Sequence, residues 1–306
     1  MRPPDPSSVR IPGPWQHRSV SANGIRLHVV ECGDGPLVVL LHGFPEFWWS
    51  WRHQLTALAA HGYRAVAIDL RGYGDSDKPP RGYDLWTLAG DVAGLIGALG
   101  ESRAHVIGHD WGGLIGWTVA ALHPRRVRTL AVVGAAHPLA VRRAVVRDPR
   151  GQGRATAGYA LAYQVPRWPE RALRIDDGAR VERIMRSWAG AEWASSDDFT
   201  AAVLRNRRAI QVPGVVHCAV EYHRWALRSQ FRGDGRRFAA AVARPVDAPV
   251  LQIHGAQDPC LLERTAAGSG RWAGGGLRLE VLDGVGHFPH QERPDVVTDL
   301  LARFLG

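Results

Sequence analysis

Lysine is almost missing from this 306-residue chain. Lys78 is the only one, although lysine and arginine together number 38. The formal charge of +9 is therefore carried almost wholly by arginine, a bias that reads as a G+C-rich coding background, which also favours the alanine and glycine seen here. These arginines are scattered, with no long run and no basic helix interleaved with aromatic residues. They describe a solvated surface and not a nucleic-acid footprint. Long apolar runs are missing as well: no stretch approaches the ~20 residues that span a bilayer. The segment Met1 to Trp15 has proline but no apolar h-region, so it reads as an extended surface arm and not as a secretory signal. Cysteine is scarce, and Cys32, Cys218 and Cys260 stand at unrelated spacings. An odd number so placed argues against a disulfide framework or a zinc site. The expectation is a cytoplasmic protein with no nucleic-acid or membrane partner and no metal or organic cofactor, either a monomer or a homodimer.

What is present is enough for one large core, with 45% of residues hydrophobic and 22% charged. Short, mostly continuous apolar runs recur at Leu37–Leu41, Ala65–Ile68, Ala104–Gly108, Leu130–Gly134, Val250–Ile253 and Leu277–Leu282. Such runs suit strands buried on both faces of a parallel sheet. Between the second and third, Leu85, Leu88, Val92, Leu95, Ile96 and Leu99 share one helical stripe, with Asp84 as N-cap and Gly100 just past the end. Strand, helix, strand in repetition means a doubly wound α/β sheet. From about residue 139 to 245 the strand rhythm stops. That stretch has many arginines and tryptophans, prolines at Pro149, Pro166, Pro169 and Pro213, and helical patterns at Val181–Met185, Phe199–Ile210 and Val215–Leu227. The domain reading is a sheet core formed by residues 1–138 and 246–306, with an all-helical insertion between them.

Three segments carry the chemistry. In Ala104–Gly113, AHVIGHDWGG, a buried strand ends in a turn with Asp110 at its apex, and a helix begins at once. This is the strand–turn–helix context of a nucleophile elbow. Gly108, Gly112 and Gly113 relieve the steric crowding of the turn, and the helix N-terminus favours a carboxylate at the apex. An aspartate that merely caps the helix is the plain alternative. Two distant segments weigh against it. Val250–Pro259 delivers Asp258 after a buried strand, and Leu282–Glu292, LDGVGHFPHQE, delivers His287 from a glycine-flanked loop. Nucleophile, acid and histidine then follow the chain order 110, 258, 287, each beyond a strand's C-terminal end. His290 is a rival to His287, but it lies where the last helix should begin. In Leu40–Trp51, LLHGFPEFWWSW, His42-Gly43-Phe44-Pro45 makes a sharp bend with a cis Phe44–Pro45 bond. The bend aims the Phe44 N–H back at the elbow. With the Trp111 N–H it forms an oxyanion hole, each donor typically worth ~3–4 kcal/mol.

HGFPE, DLRGYGDSDKP (Asp69–Pro79), GHDWGG, HGAQDP and GVGHFPHQE together resemble the epoxide hydrolases of the α/β-hydrolase superfamily, from about Trp15 to the C-terminus. The resemblance implies Asp110 as nucleophile, His287 as the water-activating base, Asp258 as its orienting acid and a helical cap over the sheet. A carboxylate nucleophile displaces at an sp³ carbon and leaves an alkyl ester, which water then cleaves at the aspartyl carbonyl. An epoxide and a halide are the two leaving groups that suit this at neutral pH.

The inserted segment separates them, because an epoxide needs a donor on its ring oxygen and a halide needs a cradle of donors. In Gly158–Glu170, GYALAYQVPRWPE, Tyr159 is similar in position to the tyrosine that polarises the epoxide in the resembled family; Tyr163 is its core-facing neighbour. The second tyrosine of that family would stand directly before Arg224, where this chain has His223, with Tyr222 one residue earlier. The expectation is that Tyr159 and His223 hold the ring oxygen, Tyr222 being the alternative. The leading reading is an epoxide hydrolase acting on a small apolar epoxide and water. Haloalkane or haloacid dehalogenases come second; fluoroacetate-type dehalogenases share HGFP and GHD but carry arginine where Trp111 stands. A ligand-binding protein without turnover would not need Asp258 and His287. Six of the twelve tryptophans (Trp48, Trp49, Trp51, Trp111, Trp188 and Trp193) fall near the motifs or in the insertion, which points to an apolar, aromatic substrate.

Overall fold

The computed structural model describes residues 3–306. Eight strands form one sheet: β1 (Gln16–Ala22), β2 (Ile25–Cys32), β3 (Leu37–Leu41), β4 (Arg64–Ile68), β5 (Ala104–His109), β6 (Val127–Val133), β7 (Val250–Gly255) and β8 (Leu277–Leu282). Their spatial order is β1-β2-β4-β3-β5-β6-β7-β8; β2 runs antiparallel to β1 and β4, and every other pairing is parallel. The apolar runs read from the sequence are the central strands. Leu37–Leu41 is buried at every residue, as expected where helices cover both faces, and each such side chain contributes roughly 1.5–3 kcal/mol. At the sheet edge, β8 is only half-buried, and its LRLEVL sequence already alternates.

The β1–β2 hairpin has no counterpart in the sequence reading. Its turn is Asn23-Gly24, both at positive φ, the tight-turn chemistry that matches strand twist. That dipeptide was the available signal; the exposed, polar β1 (burial alternating only at its end) hid the strand. The N-terminal arm also departs from expectation, and Met1 and Arg2 lie outside the described residues. Val9 and Ile11 are buried, and Trp48 Nε1 donates to the Val9 carbonyl at 2.8 Å. A buried indole N–H needs an acceptor, and the arm supplies it.

Helices α1 (Arg52–Ala60), α2 (Leu85–Ala98) and α3 (Trp111–Leu122) connect the first strands. Asp84 caps α2 by accepting from Thr87 N at 2.9 Å, and Gly100 follows the helix at φ 90°. Between β6 and β7 the described residues contain helices and no strand: α4 (Pro138–Arg147), α5 (Arg154–Ala162), α6 (Trp168–Trp188), α7 (Ala191–Ala194), α8 (Asp197–Ile210), α9 (Val215–Arg228) and α10 (Gly233–Ala241). Helix α6 breaks at Ile175–Gly178, where Asp176, Asp177 and Gly178 take positive φ. Arg224 on α9 ties these helices together, donating to Glu170, Glu221 and the Tyr163 carbonyl. Short helices α11 (Glu263–Ala267) and α12 (Pro289–Glu292) and the terminal α13 (Pro294–Leu305) complete the fold. Among the described residues, no helix is long and apolar enough to cross a membrane.

Replacing Asp84 by alanine removes the α2 cap and should cost about 0.5–2 kcal/mol. In urea unfolding the midpoint should fall with an unchanged slope.

Candidate active site

Asp110 stands between β5 and α3 at φ 47°, ψ −113°. A non-glycine residue rarely holds positive φ, so the surroundings must enforce it. They do so by contact: a Cβ on Gly108 would collide with the Gly112 carbonyl, and one on Gly112 with the Leu41 carbonyl. A Cβ on Gly43 would lie 2.6 Å from Asp110 Cβ and 2.9 Å from its Oδ2. The Asp110 N–H donates to the Val133 carbonyl of the neighbouring β6 at 3.1 Å, pinning the turn to the sheet.

The bend after β3 has the expected cis Phe44–Pro45 bond. Phe44 N donates to Asp110 Oδ2 at 2.9 Å, and Trp111 opens α3 as its first residue. His42 shapes the bend: Nδ1 donates to the Gly43 carbonyl at 2.8 Å, and Nε2 accepts from Leu70 N at 3.1 Å.

Asp258 and His287 converge on this elbow. His287 Nδ1 lies 2.8 Å from Asp258 Oδ2, and its Nε2 lies 3.9 Å from Asp110 Oδ1. Asp258 is fixed by accepting from Cys260 N at 2.7 Å and Leu261 N at 3.0 Å. Burial opposes its charge, but the His287 ring, the nearby His254 ring and the Leu261 amide hold its carboxyl below the usual range. For His287, burial disfavours the protonated ring, yet Asp258, the hydrogen bond to it, Asp110 and Glu46 outweigh this and lift the pKa to about 9. The rival, His290, is fully buried below the site between Trp51 and His109, and burial pushes its pKa down to about 4.

Glu46, quoted within the HGFPE motif but given no role there, organises the floor. It is buried and accepts from Gly43 N (3.2 Å) and Gln291 Nε2 (2.6 Å), and binds His109 Nδ1 at 2.7 Å. His109 Nε2 in turn meets the His287 carbonyl at 2.8 Å. A buried carboxylate with this many donors is satisfied rather than orphaned. Two groups bring possible metal-ligand atoms within 4.8 Å, Glu46 with His109 and His290, and Asp258 with Cys260 and His287. They assemble from separate segments, so sequence spacing could not reveal them, and in each a carboxylate already holds a histidine at 2.7 or 2.8 Å.

Above Asp110 lies a cavity of about 480 Å³, lined by Tyr159, Trp188, His223, Trp225, Phe238 and Cys260 among others, with Asp110 and His287 in its wall. Of the six tryptophans singled out by position, Trp111 and Trp188 line it, whereas Trp48 and Trp51 are core; Trp225, unremarked in the sequence, lines it too. Tyr159 faces this cavity, and burial holds its hydroxyl protonated. Tyr163 is buried, its ring packed edge-on against Phe44 and His223.

The expected second donor is not free in this arrangement. Trp111 Nε1 donates to His223 Nε2 at 3.1 Å, and His223 Nδ1 must donate to the Ala219 carbonyl at 3.0 Å, since a carbonyl only accepts. The ring is therefore a neutral tautomer with neither N–H nor a second proton to offer the cavity, and burial pushes its pKa down to about 4. Tyr222 does not replace it. Its hydroxyl donates to the Arg71 carbonyl at 2.7 Å, with the ring packed against Tyr73, Tyr83 and Trp111.

A model of the alpha/beta hydrolase fold family matches residues 36–294. Epoxide hydrolase 4 of Mus musculus is 31% identical over 94% of this chain and 78% of its own length. Among solved structures, epoxide hydrolase A from Mycobacterium thermoresistibile superposes with a TM-score of 0.78 at 31% identity, covering 95% of this chain and 98% of that one. An epoxide hydrolase from an endophytic Streptomyces gives 0.80 at 31% identity, covering 96% of both. The fold and the elbow thus define an α/β hydrolase. Within that superfamily, the chain belongs to the epoxide hydrolase family.

Because Asp110 is one of the charges that raise the His287 pKa, Asp110→Asn should bring it below about 9. An NMR titration of the imidazole in both proteins would read this; an unchanged pKa would mean the two side chains are not electrostatically coupled.

Proposed function

We propose that this protein hydrolyses small apolar epoxides to vicinal diols through an ester on Asp110, with residues 139–245 acting as a cap over the sheet. The observation that carries the reading is the placement of Asp110. Its Oδ2 rests on the Phe44 N–H, its Oδ1 faces His287 Nε2, and both lie beneath a cavity holding the protonated Tyr159 hydroxyl.

The proton balance closes on these residues. At neutral pH the resting site holds the Asp110 carboxylate against a protonated His287. Oδ1 attacks a ring carbon, the C–O bond breaks, and Tyr159 gives its proton to the departing oxygen. The ester removes the negative charge facing His287, which lowers that ring's hold on its proton. Its proton returns to Tyr159 through solvent, and His287 becomes a neutral base. It then takes a proton from water as the hydroxide adds to the Asp110 carbonyl. The oxygen that becomes negative is the one on the Phe44 N–H, with the Trp111 N–H as its second donor. As the intermediate collapses, the bond to the diol oxygen breaks, the proton of the added hydroxyl passes to that oxygen, and the diol leaves behind the Asp110 carboxylate and a protonated His287.

One observation weighs against halide release. A halide needs N–H donors aimed into the cavity, and the Trp111 indole N–H is spent on His223 Nε2.

Single turnover in ¹⁸O-labelled water should place label in the Asp110 carboxylate and leave the first diol mostly unlabelled. His287→Gln should accumulate an adduct visible by intact-protein mass. Label appearing directly in the first diol would sink the ester mechanism, and diol formed without free halide from a mixed panel separates this reading from dehalogenation.

Tyr159→Phe should slow ester formation by about 10²–10⁴-fold, the usual worth of a general acid. Tyr222→Phe and His223→Ala should fall far short of that in stopped-flow measurement of the same step. A loss in His223→Ala equal to that of Tyr159→Phe would show that its ring rotates to donate once substrate is bound.

A further inference from the structure

Glu292 ends the GVGHFPHQE motif that carries His287, yet the reaction above leaves it without a task. It closes α12, and its partly buried carboxylate accepts from three backbone N–H groups. Oε2 accepts from Gly286 N at 2.8 Å and from Gly190 N at 2.9 Å, and Oε1 accepts from Phe288 N at 3.0 Å. Gly286 and Phe288 are the two chain neighbours of His287. Gly190 comes from elsewhere, in the link between α6 and α7. One side chain therefore grips both flanks of the base and the helical insertion. Hydrogen bonds to an ionised acceptor are the stronger kind.

The two segments also touch directly. His287 N donates to the Trp188 carbonyl at 2.8 Å. The approach leaves no room for side chains: a Cβ on Gly286 would lie 2.3 Å from the Trp188 carbonyl oxygen and 2.6 Å from Gly190 N, and one on Gly190 would lie 2.5 Å from the Gly284 carbonyl oxygen. Backbone packs on backbone, and the amides of Gly190, Gly286, His287 and Phe288 all find acceptors at this contact. A buried N–H left without an acceptor is costly, so these bonds hold as a set. Trp188 carries the contact to the reacting side. Its ring lines the cavity and stands edge-on to the His287 ring, with centroids 5.3 Å apart. A substrate packed on Trp188 is placed by the same backbone that places the base.

We infer that Glu292 is a positioning residue for hydrolysis of the ester, clasping the His287 loop to the Trp188–Gly190 segment so that base and cavity wall keep one spacing. The inference rests on the proposed ester on Asp110. In that reaction His287 acts as a base only in the second step, when it takes a proton from water aligned with the aspartyl carbonyl. Such alignment tolerates little, and a misplacement of about 1 Å can cost about 10²-fold. Ring opening depends instead on Asp110, at the turn between β5 and α3, and on Tyr159, on α5. The clasp holds neither of them. Glu292 is not among the residues lining the cavity; it acts through the backbone on either side of His287.

The test is single-turnover kinetics of the full chain with a terminal epoxide, following ester formation and ester hydrolysis separately. Glu292→Gln keeps the size but turns one acceptor oxygen into a donor. In either amide orientation, Phe288 N or the Gly286 and Gly190 pair then faces an N–H. Ester hydrolysis should slow by about tenfold to 10²-fold, with ester formation within about twofold of wild type. Gly190→Ala attacks the same contact from the insertion, with no change of charge, and should give the same one-step loss. The double variant should be no slower than the worse single one, because each breaks the same clasp. If neither variant folds, the unaltered protein decides: in NMR hydrogen exchange the Gly190, Gly286, His287 and Phe288 amides should open together with one free energy. Equal slowing of both steps, hydrolysis at the wild-type rate in Glu292→Gln, additive losses in the double variant, or four amides opening independently would each overturn the inference. If the unaltered protein forms no ester with any epoxide, the proposed function falls, while the exchange result still judges the clasp; if the ester forms and both variants hydrolyse it normally, only the clasp falls.

Discussion

Everything at this site depends on a backbone that turns too sharply for ordinary side chains. Asp110 is held at φ 47° because Gly108, Gly112 and Gly43 let three strand ends and a helix start approach it. Such a conformation costs of order 1–3 kcal/mol, and persists only where packing over-determines it. The return is positional. The carboxylate stands clear of the sheet, one oxygen on a backbone donor and the other toward a histidine, before any substrate arrives. Preorganisation of this kind spares the reacting groups a reorganisation at the moment of reaction.

The electrostatics follow from that placement. Several carboxylates act on one imidazole, and together they overcome a burial that by itself would favour its neutral form. Glu46 holds the floor through His109, whose other nitrogen meets the His287 carbonyl, so His287 is braced from beneath as well as held by Asp258. In the proposed reaction, one charge in this array, that of Asp110, disappears as the ester forms. On the proposed mechanism, that loss is what converts His287 from a charged ring to a base.

The cavity wall is sparing with donors. Two ring donors in that wall have spent theirs, the Trp111 indole on His223 and His223 on Ala219, and behind them the Tyr222 hydroxyl donates to Arg71. In a low-dielectric pocket an unspent donor would be costly. In the proposed reaction it is the Tyr159 hydroxyl, facing the same cavity, that supplies the donor these groups do not.

The sequence by itself determined strands β3 to β8, the elbow, and the loops that deliver Asp258 and His287. Their signals are local: an apolar run that must be buried, glycines that a tight turn must have, and residues just beyond strand ends. Asp110, Asp258, His287 and the Phe44 bend could all be placed this way. Tertiary structure alone decided what the helices between β6 and β7 contribute. On the sequence, His223 and Tyr222 differ by one helical step, and either could face the cavity. Their hydrogen-bond partners, Trp111, Ala219 and Arg71, come from different elements, and only packing brings two of those three beside α9. Glu46 and Glu292 were likewise silent, each inside a loop motif whose role was read from other residues. Which proton a side chain has left to give depends on every neighbour that competes for it, and those neighbours are scattered along the chain.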